Sequence, residues 1–292
     1  MPQGGRLPVV WFQAAGCTGC SMSLMNAQYP HLTHLLLDEV VPGKPIVLAF
    51  HATLMGPSGE PALSVVNRLG QANQPYVLVV EGAIPTASGG SFGVMADHTL
   101  AERTKALAGS AFAVVAMGTC AAYGGVPSGS PNPTGARGVG SVLREVGVSV
   151  PVVNVPGCPP HPRWFVETLA FVLTRGLPTA EDLDSAGRLK GVFRGLIHEN
   201  CPRRADFEAG RFARNFGEEG CLYELGCKGP YAEAPCPWHR WNGGVNWCIQ
   251  ANHPCLACCE PDFPDRVSPI FQKIEAERAK DTLRRELCAR SS

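Results

Sequence analysis

The sequence has few charged residues and no surplus of either sign. Asp, Glu, Lys and Arg make up 17% of the 292 residues, and 25 basic side chains balance 25 acidic ones. Average proteins contain about 25% charged residues. The zero net charge gives no electrostatic reason to expect nucleic acid or an anionic membrane as a partner. A surface this poor in charge predicts that part of it is covered by another protein.

Long apolar segments are also missing. Uninterrupted runs such as residues 76–80 fall far short of the ~20 residues needed to span a bilayer. The first seven residues contain neither a basic region followed by an apolar region nor a twin-arginine pair, so no export signal is visible. We therefore expect a cytoplasmic protein without a transmembrane segment, associated with membranes only through partners.

Cysteine, by contrast, is abundant and unevenly distributed. Of 13 cysteines, four lie in residues 1–200 and nine in residues 201–292. That density in the C-terminal part is typical of disulfide scaffolds or metal sites. The odd total and the expected location argue against disulfides, because the cytosol keeps thiols reduced. The sequence therefore favours metal ligation.

The N-terminal part alternates between apolar runs and amphipathic segments. Runs rich in Val, Leu and Ile predict buried parallel strands at residues 7–13, 45–51, 76–82, 111–118 and 150–156. Apolar residues at helical spacing predict helices at residues 62–70, 97–108 and 138–146. This alternation predicts an α/β fold in which helices cover both faces of an open parallel sheet.

Beyond about residue 190 the periodicity stops. Pro, Gly, Trp, Cys and polar residues interleave, so apolar burial alone cannot offset the entropy of ordering this segment. Bound metal would supply the missing organisation. Residues 270–287 predict one exposed amphipathic helix.

Four cysteines follow the predicted strands. Cys17 and Cys20 follow the first strand, Cys120 the fourth and Cys158 the fifth. Because open parallel sheets bind ligands at the carboxyl ends of their strands, we expect these thiols to meet there. Four thiolates suit either zinc or a [4Fe–4S] cluster.

Other interpretations of this edge stay open from the residues alone. Cys17 and Cys20 are spaced like a thioredoxin-like redox pair, which would leave Cys120 and Cys158 unexplained. Thr18, Ser21 and Ser23 at a helix start suit a phosphate cradle for a flavin. Glu81 ends the third strand at the same edge. It is either a proton-transfer group, a partner of the site's ligands or a solvated carboxylate.

Two further groups lie in the C-terminal part. His198 stands three residues before Cys201, and Cys221 and Cys227 follow. The other group contains Cys236, Cys248, Cys255 and Cys258, with Cys259 adjacent. An imidazole in place of one thiolate would make the first of these sites less negative.

Together these motifs resemble the small subunit of nickel–iron hydrogenases over nearly the whole chain. They are Gly16-Cys-Thr-Gly-Cys, Glu81-Gly-Ala-Ile-Pro, Gly118-Thr-Cys, Pro156-Gly-Cys-Pro-Pro, His198-x-x-Cys-x-Arg, Cys221-Leu-Tyr-x-Leu-Gly-Cys-Lys-Gly-Pro and Trp241-Asn-Gly-Gly-Val-Asn-Trp. The resemblance implies a flavodoxin-like, doubly wound domain over residues 1–185 and an irregular, cluster-binding domain over residues 186–292. It also implies an obligate heterodimer whose large subunit holds the nickel–iron centre.

The resemblance implies three iron–sulfur clusters in this chain. A proximal [4Fe–4S] cluster would be bound by Cys17, Cys20, Cys120 and Cys158. A distal [4Fe–4S] cluster would be bound by His198, Cys201, Cys221 and Cys227. A middle cluster would be bound by Cys236, Cys248, Cys255 and Cys258, which leaves Cys259 and Cys288 without a role.

Two departures from better-known members bear on this pattern. Many relatives have Pro at the position of Cys248 and a middle [3Fe–4S] cluster, so the cysteine here implies a middle [4Fe–4S] cluster. One oxygen-tolerant class has two extra thiols, and the corresponding positions here are Gly19 and Gly125. Its [4Fe–3S] chemistry is therefore not expected.

The resulting hypothesis is an electron-relay subunit that passes electrons from H2 oxidation to an acceptor protein or a quinone pathway. A hydrogen-sensing regulator with the same clusters is the first alternative. The cluster subunit of respiratory complex I resembles only the N-terminal half, and a zinc-stabilised interaction protein is a further alternative.

Overall fold

A computed structural model describes residues 6–29, 31, 33–34, 38, 41–71, 75–265, 268 and 270–272. The chain divides into two units, Met1–Val192 and Phe193–Ser292, whereas the sequence analysis set the boundary between residues 185 and 186. Within the described residues, no helix is long and apolar enough to cross a membrane.

The first unit is built on a five-stranded parallel sheet. Its strands are β1 (Leu7–Gln13), β2 (Ile46–His51), β3 (Val77–Glu81), β6 (Ala113–Met117) and β7 (Val152–Val155), in the spatial order β2-β1-β3-β6-β7. A separate antiparallel hairpin contains β4 (Val94–Met95) and β5 (His98–Thr99). Without the hairpin, the strand order is that of flavodoxin-like, doubly wound sheets. The predicted α/β fold is therefore confirmed, and every predicted strand is present with ends moved by at most two residues.

The strands in the middle of the sheet are covered on both faces. Residues 77–80 of β3 and all of β6 have no exposed surface. Val79 pairs with Trp11 of β1 on one side and with Val115 of β6 on the other. Because parallel strands buried on both faces need apolar residues at every position, they appear in the sequence as continuous Val, Leu and Ile runs.

Helices lie between these strands and after the last one in the described part of the unit. They are α1 (Gly19–Met25), α2 (Glu60–Gln71), α3 (Leu100–Ser110), α4 (Thr119–Tyr123), α5 (Val139–Glu145) and α6 (Pro162–Arg175). The sequence predicted α2, α3 and α5. Helix α3 begins at a capping box in which the Thr99 side chain accepts from the Glu102 N–H and the Glu102 side chain accepts from the Thr99 N–H.

The sequence analysis did not include α6. This helix begins with Pro162, and the His161 ring accepts a hydrogen bond from the Arg163 N–H. Pro at the first position is favourable because its missing N–H has no partner within a helix. The Pro-rich segment before it indicated a loop and obscured this start.

The second unit consists of short elements, as the loss of periodicity predicted. They are α7 (Arg204–Glu208), α8 (Cys236–His239) and 3₁₀ turns at His198–Asn200, Leu222–Leu225 and Gly229–Tyr231. Cys221 and Tyr223 form a small buried cluster against Phe207 and Phe212. The helix predicted over residues 270–287 lies outside the described residues apart from 270–272.

Withholding iron should unfold the second unit and leave the sheet of the first unit folded. The second unit has short elements and a small apolar cluster, so its order depends on what its cysteines bind. We expect limited proteolysis of chain produced without iron to cut mainly within residues 193–272, as read by mass spectrometry, with iron-loaded protein as the control. Equal protection of both units without iron would contradict this expectation.

Candidate metal centres

The first group of cysteines lies where strands of one sheet end. Cys17 and Cys20 follow β1, Cys120 follows β6 and Cys158 follows β7. Cys20 belongs to the first turn of α1, and Cys120 belongs to α4. The structure therefore brings these four residues to the edge that the sequence predicted.

The four thiols interact electrostatically as one group. The pKa of Cys20 is raised far above its usual range by burial, then by the charge of Glu81 and by the other three cysteines. Burial raises the pKa of Cys120 to about 11, and repulsion from Cys158 and Cys17 adds to it. Burial and then Cys17 raise the pKa of Cys158. Thiolates gathered in this way need a positively charged partner.

Glycines let the backbone approach these thiols closely. A Cβ added at Gly118 would lie 2.5 Å from the Cys20 Sγ, and one at Gly125 would lie 3.0 Å from the Cys120 Sγ. Both glycines have positive φ, 89° and 52°, which L side chains rarely adopt. A Cβ at Gly19 would lie 3.1 Å from the Cys17 Sγ. Four thiols that the glycine backbone approaches this closely fit a [4Fe–4S] cluster, the bulky group that the resemblance implies.

Thr119 joins two of the cysteine loops. Its Oγ1 accepts a hydrogen bond of 2.9 Å from the Gly157 N–H, and its own N–H donates to the Gly157 carbonyl at 3.0 Å. Thr119 is 1% exposed. The reciprocal bonds hold Cys120 and Cys158, each one residue away, in a fixed relation. The sequence analysis quoted Thr119 within a motif but gave it no role.

Glu81 lies buried beside the Cys17–Cys20 loop. Its Oε1 accepts from the backbone N–H groups of Cys20 and Ser21 at 3.0 and 3.1 Å. Its Oε2 accepts from Trp11 Nε1 at 2.8 Å, from Gln13 Nε2 at 3.3 Å and from the Ser21 hydroxyl. Glu81 is 3% exposed, so the alternative of a solvated carboxylate is wrong.

The same contacts exclude the flavin phosphate cradle. The first amides of α1, which would bind a phosphate, already donate to the Glu81 carboxylate. The Ser21 hydroxyl donates to Glu81, and the Ser23 hydroxyl donates to the Pro160 carbonyl at 2.8 Å. Trp11, Ser21 and His51 complete this environment, and no sequence motif marked Trp11 or His51.

The second group surrounds the 3₁₀ turn that begins at His198. Burial raises the pKa of Cys221 to about 12, with repulsion from Cys227 and Cys201. Cys227 has its pKa raised to about 11 by burial, and Cys201 repels it as well. The three thiols therefore lie close together. Burial, followed by the positive charge of Arg204, lowers the pKa of His198, which favours the neutral imidazole that binds metals.

The geometry around Gly229 relates the histidine to the thiols. A Cβ at Gly229 would lie 3.5 Å from the Cys227 Sγ and 3.8 Å from the His198 backbone nitrogen. The His198 ring packs edge-on against Phe207, with centroids 4.7 Å apart. The structure thus brings the backbone of His198 near Cys227, and the resemblance implies that the imidazole is the one nitrogen ligand of an iron–sulfur cluster here.

The third group contains the remaining predicted cysteines. Burial raises the pKa of Cys236 well above its usual value, and repulsion from Cys258 and Cys248 adds to it. For Cys255, burial is again the first cause of a raised pKa, followed by Cys227 and, more weakly, by Cys258 and Cys236. Cys248 is exposed, whereas Cys255 is buried. This donor set has the four thiols of a [4Fe–4S] site.

Cys259 lies beside the third group. Its Sγ donates to the Glu233 carbonyl at 3.7 Å and to the Glu260 carboxylate at 3.6 Å. The Cys259 thiol therefore has its own hydrogen-bond acceptors within the protein. Cys288, the other cysteine without a role, lies outside the described residues.

The second and third groups meet at one hydrogen bond. The Cys255 N–H donates to the Cys227 Sγ at 3.3 Å, and the Lys228 N–H donates to the Cys255 carbonyl at 2.7 Å. Residues of the two groups are therefore in direct contact. Among the described residues, no three His, Cys, Asp or Glu side chains are arranged to hold a single metal ion.

Comparison with family models assigns the two units to known families. Residues 193–271 match the C-terminal family of the NiFe/NiFeSe hydrogenase small subunit. Residues 17–172 match the family of the 20 kDa subunit of NADH ubiquinone oxidoreductase. The complex I alternative therefore accounts for the first unit alone, as the sequence analysis expected.

Relatives match almost the whole chain. The periplasmic [NiFeSe] hydrogenase small subunit of Desulfomicrobium baculatum is 42% identical over 93% of this chain and 89% of its own length. The periplasmic [NiFe] hydrogenase small subunit of Solidesulfovibrio fructosivorans is also 42% identical, over 92% of this chain and 82% of its own length. A solved [NiFeSe] hydrogenase of Desulfovibrio vulgaris Hildenborough matches 92% of this chain and 99% of its own with 40% identity and a TM-score of 0.85.

The expected cytoplasmic location is wrong. Both relatives are named periplasmic, which contradicts an inference that rested on the first seven residues. Seven residues are too few to assign a cellular compartment. The periplasm permits disulfides, so metal ligation is inferred from the grouping of the thiols and not from the compartment.

The family defines the broad activity and partner. Its members are oxidoreductases acting on H2, and the small subunit holds iron–sulfur clusters and pairs with a large subunit that holds the nickel–iron active site. The chain therefore belongs to the small subunits of nickel–iron hydrogenases.

Proposed function

We propose that this chain relays electrons from H2 oxidation at the large subunit through three [4Fe–4S] clusters to an external acceptor. The proposal is supported by the proximity of predicted thiol ligands within three groups, two of which touch. Each iron–sulfur cluster would accept and release one electron at a time. The chain's own residues bind these groups and shield them from water.

The proximal site is proposed at Cys17, Cys20, Cys120 and Cys158. Burial, with the charge of neighbouring thiolates, raises the pKa of Cys20, Cys120 and Cys158, and glycine backbone lies close to the sulfur atoms. A cluster carrying iron would offset this effect, because its positive charge lets thiolates form at neutral pH.

The partner's binding surface is proposed around the same sheet edge. Segments that follow β1, β3 and β6 expose large apolar side chains, namely Met22, Met25, Phe92, Val94 and Val126. Exposed apolar groups of this kind mark protein interfaces. Covering them with the large subunit would also exclude water from the thiols and bring the donor close to the first cluster.

The distal site is proposed at His198, Cys201, Cys221 and Cys227, and the middle site at Cys236, Cys248, Cys255 and Cys258. The hydrogen bond from the Cys255 N–H to the Cys227 Sγ supports their being consecutive in the relay, because it joins a ligand of one to a ligand of the other. Replacing one thiolate by the neutral His198 makes the distal site less negative.

The hydrogen-sensing alternative has no support in the relatives, whose names describe hydrogenases. Those names also support a periplasmic location for this chain. Electron relay is therefore the function that we retain.

Replacing Cys248 by Pro should convert the middle cluster to [3Fe–4S]. The iron content should fall from about twelve to about eleven per chain, since one iron loses its protein ligand. Electron paramagnetic resonance (EPR) of anaerobically purified heterodimer should detect a new [3Fe–4S] signal and a higher potential.

Cys259→Ser is the matched control, because Cys259 neighbours the same site but has hydrogen-bond partners of its own. It should leave the iron content unchanged. An unaltered spectrum in the Cys248→Pro variant would remove Cys248 from the ligand set.

Replacing Cys158 by Ser should stop electron entry into the chain. With the proximal cluster lost, H2 should no longer reduce the middle and distal clusters, whereas dithionite should still reduce both. EPR after exposure to H2 measures this directly. Reduction of the remaining two clusters by H2 at the normal rate would refute a linear relay that begins at Cys158.

A further inference from the structure

The hydrogen bonds around Ser21 determine the acceptor to which its hydroxyl donates. The Thr53 backbone N–H donates to Nδ1 of His51 at 3.3 Å, so Nδ1 is unprotonated and Nε2 carries the proton of the neutral ring. Burial lowers the pKa of His51, against the opposing charge of Glu81, and so favours the neutral ring. His51 Nε2 then donates to the Ser21 Oγ at 3.1 Å.

Gln13 supplies a second hydrogen bond to the same hydroxyl. Its Nε2 lies 3.2 Å from the Ser21 Oγ and 3.3 Å from Glu81 Oε2, and each of its two protons has one of these acceptors. A hydroxyl oxygen has two lone pairs, and both are now occupied. The Ser21 proton must therefore point to Glu81, with which the hydroxyl is in contact.

Glu81 consequently carries a fixed negative charge in the interior. All five of its partners donate to it, and none of the five is a cation. Burying a carboxylate without a cationic partner is costly, and multiple hydrogen bonds to the ionised form compensate for that cost. Five donors directed at one carboxylate indicate that the negative charge of Glu81 has a functional role.

The Glu81 carboxylate also takes up the amides that would otherwise be free to bond sulfur. The N–H groups of Cys20 and Ser21 point to Glu81. Other backbone N–H groups do bond sulfur: in the first unit that of Val126 lowers the pKa of Cys120, and in the second unit such groups donate to the Sγ atoms of Cys201, Cys227 and Cys255 at 3.3–3.4 Å. Hydrogen bonds to cluster sulfurs and local charge are the means by which a protein sets the reduction potential.

We propose that Glu81, held by Ser21, His51, Gln13 and Trp11, lowers the reduction potential of the cluster bound at Cys17, Cys20, Cys120 and Cys158. This inference rests on the proposed function. Negative charge beside Cys20 disfavours the added electron, and the two redirected amides give the sulfurs no stabilisation. A low potential at the donor end makes electron transfer toward the second unit favourable.

The test is a redox titration of the purified heterodimer followed by EPR. Glu81→Gln preserves the shape of the side chain and removes its charge. We expect the reduced form of the proximal cluster to become favoured by on the order of tenfold, which equals about 59 mV for one electron. The middle and distal clusters of the same sample should keep their potentials.

Glu102→Gln is the matched control. The Glu102 carboxylate also accepts hydrogen bonds at a helix start, from Thr99, but it is exposed and its ion-pair partner is the half-exposed His98 at 3.8 Å. This variant should leave all three potentials unchanged.

The Ser21→Ala variant distinguishes an effect of the Glu81 charge on the potential from an effect of a loosened structure. It retains the Glu81 charge and removes one donor that partly neutralises it, so the proximal potential should fall. A rise in both variants, or no shift in either, would overturn the proposal. If Glu81→Gln does not assemble, the direction of the shift in Ser21→Ala decides alone.

Iron binding and cluster reduction in wild-type protein show whether the proposed function fails or only the role of Glu81. If its proximal thiols bind no iron, the proposed function fails. If they bind a cluster that H2 reduces and Glu81→Gln leaves its potential unchanged, only the role of Glu81 fails.

Discussion

Burial of grouped thiols, which disfavours their charged form, is the constraint on which the rest of this structure depends. Burial raises the pKa of cysteines in all three groups, and neighbouring thiolates raise it further in most of them. Without metal the thiols are therefore protonated and neutral. Loading iron must release those protons, so the assembly of each site and the stability of the chain around it are linked.

The two units meet this constraint in different ways. In the first, a sheet with a fully buried centre exists independently of the thiols and holds their loops at one edge. In the second, short turns place backbone N–H groups against sulfur atoms such as those of Cys227 and Cys255. We therefore expect the first unit to position its ligands by its fold and the second to depend on its ligands for order.

Much of this organisation could be predicted from the sequence. The strands were predictable because β3 and β6 are almost entirely apolar. The first cysteine group was predictable because its thiols follow three strands of one sheet, whereas the other two ligand sets were implied by the family resemblance. The α6 helix was obscured by the prolines before it. The environment of Glu81 was not predictable, because Trp11, Ser21 and His51 come from separate segments that only the folded sheet brings together. Compartment was assigned wrongly from too few residues.

The most direct test of the account is iron anomalous diffraction from anaerobic crystals of the heterodimer. The account predicts three four-iron sites in this chain. One should contact Cys17, Cys20, Cys120 and Cys158, another His198, Cys201, Cys221 and Cys227, and the third Cys236, Cys248, Cys255 and Cys258. Fewer iron sites, a signal at the zinc edge in their place, or a cluster without one of these ligands would contradict it.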